Sequence, residues 1–295
     1  MRKKRLAASL LALSLCFSLA ACSGGSDETT APESTAPAET TPAETTPAET
    51  AAAESDLAYV QDKGTLVVGI TNFAPMDYKA EGSDEWIGFD ADMAKAFAES
   101  LGVAVEFQEI TWDYKVMELD SKNIDVVWNG MTLNDEVMAA MSTSVPYCTN
   151  YQTLVYPADK AADFEGLTSL EGLNIAVESG SAGEDAAEAL EATTVPVQSQ
   201  ANTLMEVAAG TSDAAVIDVL MAADMTGEGT SYADLVYSVN LNEAQGLESE
   251  EYGVGFRKGS DLVDVFNEFW AAAVADGTVE ATAATYGLQD AIILE

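Results

Sequence analysis

Histidine is absent from this 295-residue sequence. That excludes Ser-His-Asp and Cys-His catalysis, and it excludes imidazole-ligated metal sites. Cysteine is scarce. Cys16 and Cys22 fall in or beside an N-terminal apolar stretch, and Cys148 stands alone beyond it. A chain processed after that stretch has no intrachain disulfide, so its stability must come from a core. Basic residues are few: 12 Lys plus Arg face 50 Asp plus Glu. Four of them, Arg2, Lys3, Lys4 and Arg5, open the chain, which leaves eight elsewhere and a net charge of −42 beyond the first 22 residues. Arg257 is the one arginine in that remainder, and it is expected to be exposed. Such a charge repels nucleic acid and anionic membrane surfaces, so no nucleic-acid partner is expected, and ligands are biased away from anions.

The basic opening is followed by an apolar run from Leu6 to Ala21 that is too short for a membrane span and reads as a secretory signal over residues 1–21. It ends in Leu19-Ala20-Ala21-Cys22, which resembles the lipobox of bacterial lipoproteins. That resemblance implies cleavage before Cys22 and acylation of its thiol. Residues 22–56 form a linker. The repeat "PAETTPAETTPAET" runs from Pro37 to Thr50, has no aromatic residue, and cannot bury enough surface to fold. Extended, it spans up to roughly 100 Å. A surface tether on the outer face of the cell membrane, of Gram-positive type, is the expected use.

The remaining residues, about 240, are enough for two lobes. Strands are expected at 65–70, 104–110, 124–128, 151–157, 174–179, 194–199, 213–218 and 234–239. The spacing predicts a helix over 89–103: Asp90 is the expected N-cap, Met93, Phe97 and Leu101 share a stripe, and Gly102 ends it. Further helical patterns lie after Asn134, at 182–192 and at 262–277. Strands alternating with helices predict mostly parallel sheets covered on both faces. Two stretches, 151–157 and 250–259, read as crossings between lobes. The expected division is 57–152 plus 253–295 for lobe 1 and 153–252 for lobe 2, with the ligand beyond the carboxyl ends of the strands, in the cleft.

No enzyme chemistry is evident. The glycine-rich "GSAGED" (180–185) lacks a P-loop lysine and spacing. No metal or cofactor is called for. Cys148 reads as a core or cleft-edge thiol. Three places would present backbone amides and short polar side chains to a cleft: Asn129-Gly130-Met131-Thr132 after a strand, Ser181-Ala182 at a helix start, and Asp218 at a strand end. Helix amides favour a carboxylate, and an acid favours an ammonium. Phe73 and Phe89 would supply aromatic walls, or pack in the core; both readings are open.

Taken together, "KGTLVVGITNFAPMDY", "WIGFDADMAKAFAESLG", "IDVVWNGMTLNDEV", "LEGLNIAVESGSAGE", "GTSDAAVID" and "YGVGFRKG" resemble the solute-binding proteins of polar amino acid ABC transporters. The resemblance implies an α/β, two-lobed, type II periplasmic-binding-protein fold with a two-strand hinge, a monomer, and permease and ATPase partners. It implies that Phe73 and Phe89 stack on the ligand and that Asn129, Gly130 and Thr132 meet its polar groups. Ser181 and Ala182 would meet the carboxylate, Asp218 the α-ammonium, and Glu178 the side chain. One departure stands out. Where members carry an arginine that clamps the α-carboxylate, this chain has Val137. Either Thr132, Ser181 and backbone amides replace the clamp, or the ligand is a cationic amine without an α-carboxylate. A surface sensor, or a dehydratase or lytic enzyme using Glu178 as an acid, are the remaining alternatives.

Overall fold

The computed structural model describes residues 55–294 apart from 245, 247 and 248. The signal, Cys22 and nearly all of the linker lie outside the described residues. Folding begins slightly earlier than expected. Ser55 caps helix Asp56–Lys63, and Asp56, placed in the linker by the sequence reading, is buried.

Among the described residues, nine strands of five or more residues form two sheets. They are β1 (Thr65–Ile70), β2 (Ala104–Glu109), β3 (Val126–Thr132), β4 (Gln152–Pro157), β5 (Asn174–Glu178), β6 (Thr193–Val197), β7 (Ala214–Asp218), β8 (Leu235–Asn240) and β9 (Glu250–Phe256). In the first sheet β2, β1 and β3 run parallel, and β9 joins β3 antiparallel. In the second, β6, β5 and β7 run parallel, while β4 and β8 join antiparallel. The antiparallel members lie at the two passages between sheets. Short strand Cys148–Asn150 pairs with β9 in the first sheet, and β4 starts in the second only two residues later. The return is complete by Glu250, three residues before the expected boundary.

Helix Phe89–Leu101 forms as its pattern predicts. Met93 and Phe97 are fully buried, and Gly102 closes it in the left-handed conformation at φ 74°. The expected cap is corrected. Gly88 holds the N-cap position, and Asp90 turns inward, where its carboxylate accepts hydrogen bonds from the Gly130 amide at 2.7 Å and the Tyr147 hydroxyl at 2.8 Å. Helix Leu262–Ala275 lays Phe266 and Trp270 against Trp128, Tyr147 and Phe97, so the C-terminal segment completes the first lobe's core. Cys148 is fully buried there, and burial pushes its thiol pKa up.

Arg257 is buried, not exposed as expected. Its Nε donates to both carboxylate oxygens of Asp56 at 3.0 Å, and Nη1 donates to the carbonyls of Leu119 and Ile124. Nη2 lies 3.5 Å from Asp125, whose other oxygen accepts from Lys63 at 2.6 Å. The return strand is thereby tied to the first helix and to the entrance of β3. Breaking a buried pair leaves an uncompensated charge. Arg257→Met should lower the unfolding free energy by about 3–5 kcal/mol in urea titrations. Lys63→Met leaves the fully buried Asp125 with the longer Arg257 contact for its charge and should lower it as well, by about 1–3 kcal/mol.

Candidate functional site

The parallel strands of both sheets bring their carboxyl ends to one crevice. Thr71 follows β1, Asn129 to Thr132 close β3, Glu178 ends β5 and Asp218 ends β7. Asn129, Gly130, Thr132, Glu178, Ser181, Ala182 and Asp218 line a single cavity there, together with Trp112, Lys115, Asn134, Val137, Gly180 and Gln200. Seven of the nine ligand-site residues proposed from sequence therefore converge. The space left is about 30 Å3, room for one or two waters, so an amino acid enters only if the two lobes part.

Phe73 and Phe89 are not among the lining residues. Phe73 packs edge-on against Tyr252 and beneath Gly130, and Phe89 stacks on Tyr147 in the core. Gly130 has φ 56°, and a Cβ there would fall 2.3 Å from the Phe73 ring. Phe73 thus supports the strand from behind. The aromatic side chain that does face the cavity is Trp112, in the short helical turn Trp112–Tyr114.

Asn129, Gly130 and Thr132 lie within β3 and not in a turn beyond it. The Asn129 side chain is committed inward: its oxygen accepts from the Thr71 amide and hydroxyl, and its Nδ2 donates to the buried Asp77 at 2.7 Å. The Gly130 amide is taken by Asp90, and the Thr132 hydroxyl donates to Glu250 at 3.1 Å.

Asp218 is almost wholly buried. Its Oδ1 accepts from Gln152 Nε2 at 2.8 Å and from Asn150 Nδ2, and its Oδ2 accepts from Gln200 Nε2. A carboxylate has about four acceptor positions; three are taken by these amides and the Tyr252 hydroxyl also favours the charged form, so a ligand N–H would compete with these donors. Asn150 and Gln152 also donate to Glu250, which accepts from Asn242 and Thr132 as well. The hinge therefore holds two carboxylates on shared amide donors. Burial, reinforced by Glu250, pushes the Asp218 pKa up to about 7. Burial pushes Glu178 up to about 8, against the pull of the Thr71 hydroxyl, and its Oε1 has no hydrogen-bond partner. Behind the site, burial raises Asp90 to about 7, and burial, reinforced by Asp90, raises Asp77 well above its ordinary value.

Lys115 escaped the sequence reading. It opens helix Lys115–Asp120, carries no motif, and lies outside every quoted stretch. Gly180 meets the same region from the other sheet. Its φ is 72°, and a Cβ there would lie 2.7 Å from the Asp113 Cα. Only glycine permits so close an approach of the two lobes at this point. Among the described residues no cluster suited to a metal ion occurs, and no helix is long and apolar enough to cross a membrane.

Two α/β lobes, crossed twice by the chain and meeting at strand carboxyl ends, define the type II periplasmic-binding-protein fold. The chain belongs to the family of bacterial extracellular solute-binding proteins, family 3, which it matches over residues 66–289. Among relatives, the arginine-binding extracellular protein ArtP of Bacillus subtilis is 29% identical over 230 residues, spanning 74% of this chain and 84% of ArtP. The L-cystine-binding protein TcyJ of Escherichia coli is 28% identical over 227 residues, spanning 75% and 82%. A crystal structure of AncCDT-1, an ancestral amino acid-binding protein described as a precursor of cyclohexadienyl dehydratase, superposes with a TM-score of 0.68 at 31% identity, covering 79% of this chain and 99% of that one.

The raised carboxyl pKa values have a thermodynamic consequence. Asp218, Glu178 and Asp90 titrate higher in the folded chain than in the unfolded one. Their contribution to stability is complete below about pH 4 and is lost as pH rises through the folded values near 7 to 8. Each pH unit in that window costs up to about 1.4 kcal/mol per group. The ligand-free protein should melt at a higher temperature at pH 5 than at pH 8, and Asp218→Asn should reduce that difference. A flat profile would contradict the burial described.

Proposed function

We propose that this chain is the extracellular binding subunit of an ABC importer and that it captures a polar amino acid, or a close derivative, in the inter-lobe cleft. The observation that carries the reading is the meeting of Asp218, buried at the end of β7, with the first turn of helix Ala182–Ala189 in one cavity. An acid lining the cavity suits an α-ammonium. First-turn amides without intrahelical acceptors suit a carboxylate. A zwitterion satisfies both at once. Ser181, the N-cap of that helix, fixes the turn by accepting from the Glu184 amide at 3.1 Å.

The rest of the role follows from this reading. Lobe closure over the ligand creates the surface that a membrane permease recognises, and an ATPase drives release and uptake. Acylated Cys22 and the acidic Pro/Thr/Ala/Glu linker hold the protein, as a monomer, at the outer face of the cell membrane. ArtP and TcyJ, both binding proteins, support capture of an amino acid over turnover. A cationic amine is the second reading, favoured by the partnerless Oε1 of Glu178 beside Asp218.

A thermal-shift screen of the purified protein with the twenty amino acids, polyamines and quaternary amines tests the proposal. At about one hundred times its dissociation constant a true ligand adds about 2.7 kcal/mol of stability. An α-amino acid is expected to give the largest shift, and a polyamine as the single hit would favour the second reading. Removing one partner of a buried charge pair costs about 3–5 kcal/mol, roughly two to three and a half decades of affinity. Asp218→Ala should therefore abolish binding in calorimetry. Retention of affinity within about threefold, under 1 kcal/mol, would refute the role given to Asp218.

A further inference from the structure

An α-carboxylate in this cavity finds no guanidinium. Val137 lines the wall, buried, with its amide held by Asn134 Oδ1 at 2.9 Å. Arg257 sits at the opposite end of β3. Phe256 pairs with Val126, whereas the cavity end of β9 pairs Tyr252 with Thr132. Six residues of strand, about 20 Å, separate the two ends, and Asp56 and Asp125 hold the guanidinium where it is.

Lys115 is the one cationic side chain lining the cavity among the described residues. Its backbone belongs to the first lobe, but its Nζ donates to the carbonyl of Gly180 in the second at 3.0 Å. A longer contact runs to the Trp112 carbonyl at 3.4 Å, and Nζ lies 5.0 Å above the Trp112 ring. An ammonium has three donors, so one is left over, and the Ser181-Ala182 turn that follows Gly180 lines the same cavity. Carboxylates surround the same ammonium. Glu178 acts on it most strongly, followed by Glu136, Asp113 and Asp185, while burial draws its pKa down. Glu178 is itself buried, lines the same cavity and has one oxygen unpartnered. The cavity thus carries two acids and one cation. For a zwitterion whose ammonium meets Asp218, Lys115 is the one lining cation available to its carboxylate among the described residues.

We infer that Lys115 is the residue that anchors the ligand's carboxylate, and that it does so while bridging the two lobes, so that carboxylate capture and cleft closure are one event. The inference rests on the amino-acid reading of the cleft given above. A lysine offers a point charge and not a planar fork. Selection at this corner therefore depends on charge more than on the geometry of the carboxylate.

The test uses the purified protein and titration calorimetry, with L-arginine, L-histidine and L-glutamine each measured beside its carboxamide, which keeps the ammonium and removes the negative charge. Charge-assisted hydrogen bonds contribute about 1.5–3 kcal/mol, so Lys115→Met should weaken the bound acid by about 10- to 150-fold. It should weaken the matching carboxamide by less than about threefold, which removes the preference for the acid. Lys115→Arg should recover most of that preference. Unliganded melting of each variant, within a few degrees of the parent, confirms folding. Equal losses for acid and carboxamide would make Lys115 a closure contact only and overturn the inference, as would unchanged affinity for the acid. Failure of the unsubstituted protein to bind any amino acid would instead overturn the reading of the cleft itself.

Discussion

Asp218 and Glu178 lose their hydration where the two sheets meet. A charge in that position is costly unless it is matched or neutralised, and the neighbouring groups can be understood as answers to this cost. Three amide side chains converge on Asp218, two of which also serve Glu250 on the return strand. Because Thr132 on β3 and Asn242 in the short helix Leu241–Ala244 join the same network, the polar hinge is a single hydrogen-bonded unit. Glu178, with an oxygen left unpartnered, is the point where that accommodation is incomplete. An unfilled demand of this kind at a cleft is what a ligand can satisfy.

Positive charge is the scarce resource in a chain with 50 acids. Its distribution separates structure from site. Arg257 and Lys63 close a buried cluster with Asp56 and Asp125, locking the first helix to the middle of the first sheet. Lys95 bridges Asp92 and the Trp86 carbonyl beside helix Phe89–Leu101. Lys115 alone among the described basic residues lines the inter-lobe cavity, and it reaches across to Gly180.

Much of this was legible in one dimension. The buried runs Thr65–Ile70 and Ala214–Asp218, the stripe of Met93 and Phe97, and Gly102 as a stop all act through neighbours a few residues away, and each appears where its pattern put it. Asn129, Gly130, Thr132, Ser181, Ala182 and Asp218, which line the cavity, are marked in the sequence by a strand end or a helix start, whereas Glu178 is identified only through the family resemblance. Asp90 was misjudged for an instructive reason. An acid just before an apolar stripe looks like a cap, and only the distant Gly130 amide and Tyr147 hydroxyl reveal it as an internal acceptor. Phe73 and Phe89 carry no local mark that distinguishes a wall from a core, and packing against Tyr252 and Tyr147 decided for the core.

The sequence by itself determined the alternation of strands and helices, the two passages between lobes, the absence of imidazole chemistry and the deficit of cations. These depend on composition and on periodicity within single elements. The tertiary structure alone decided which charges are neighbours. Arg257 lies 201 residues from Asp56, and Lys115 lies 65 residues from Gly180. Contacts over such separations are fixed by how two sheets pack and close, and no local pattern of residues encodes them.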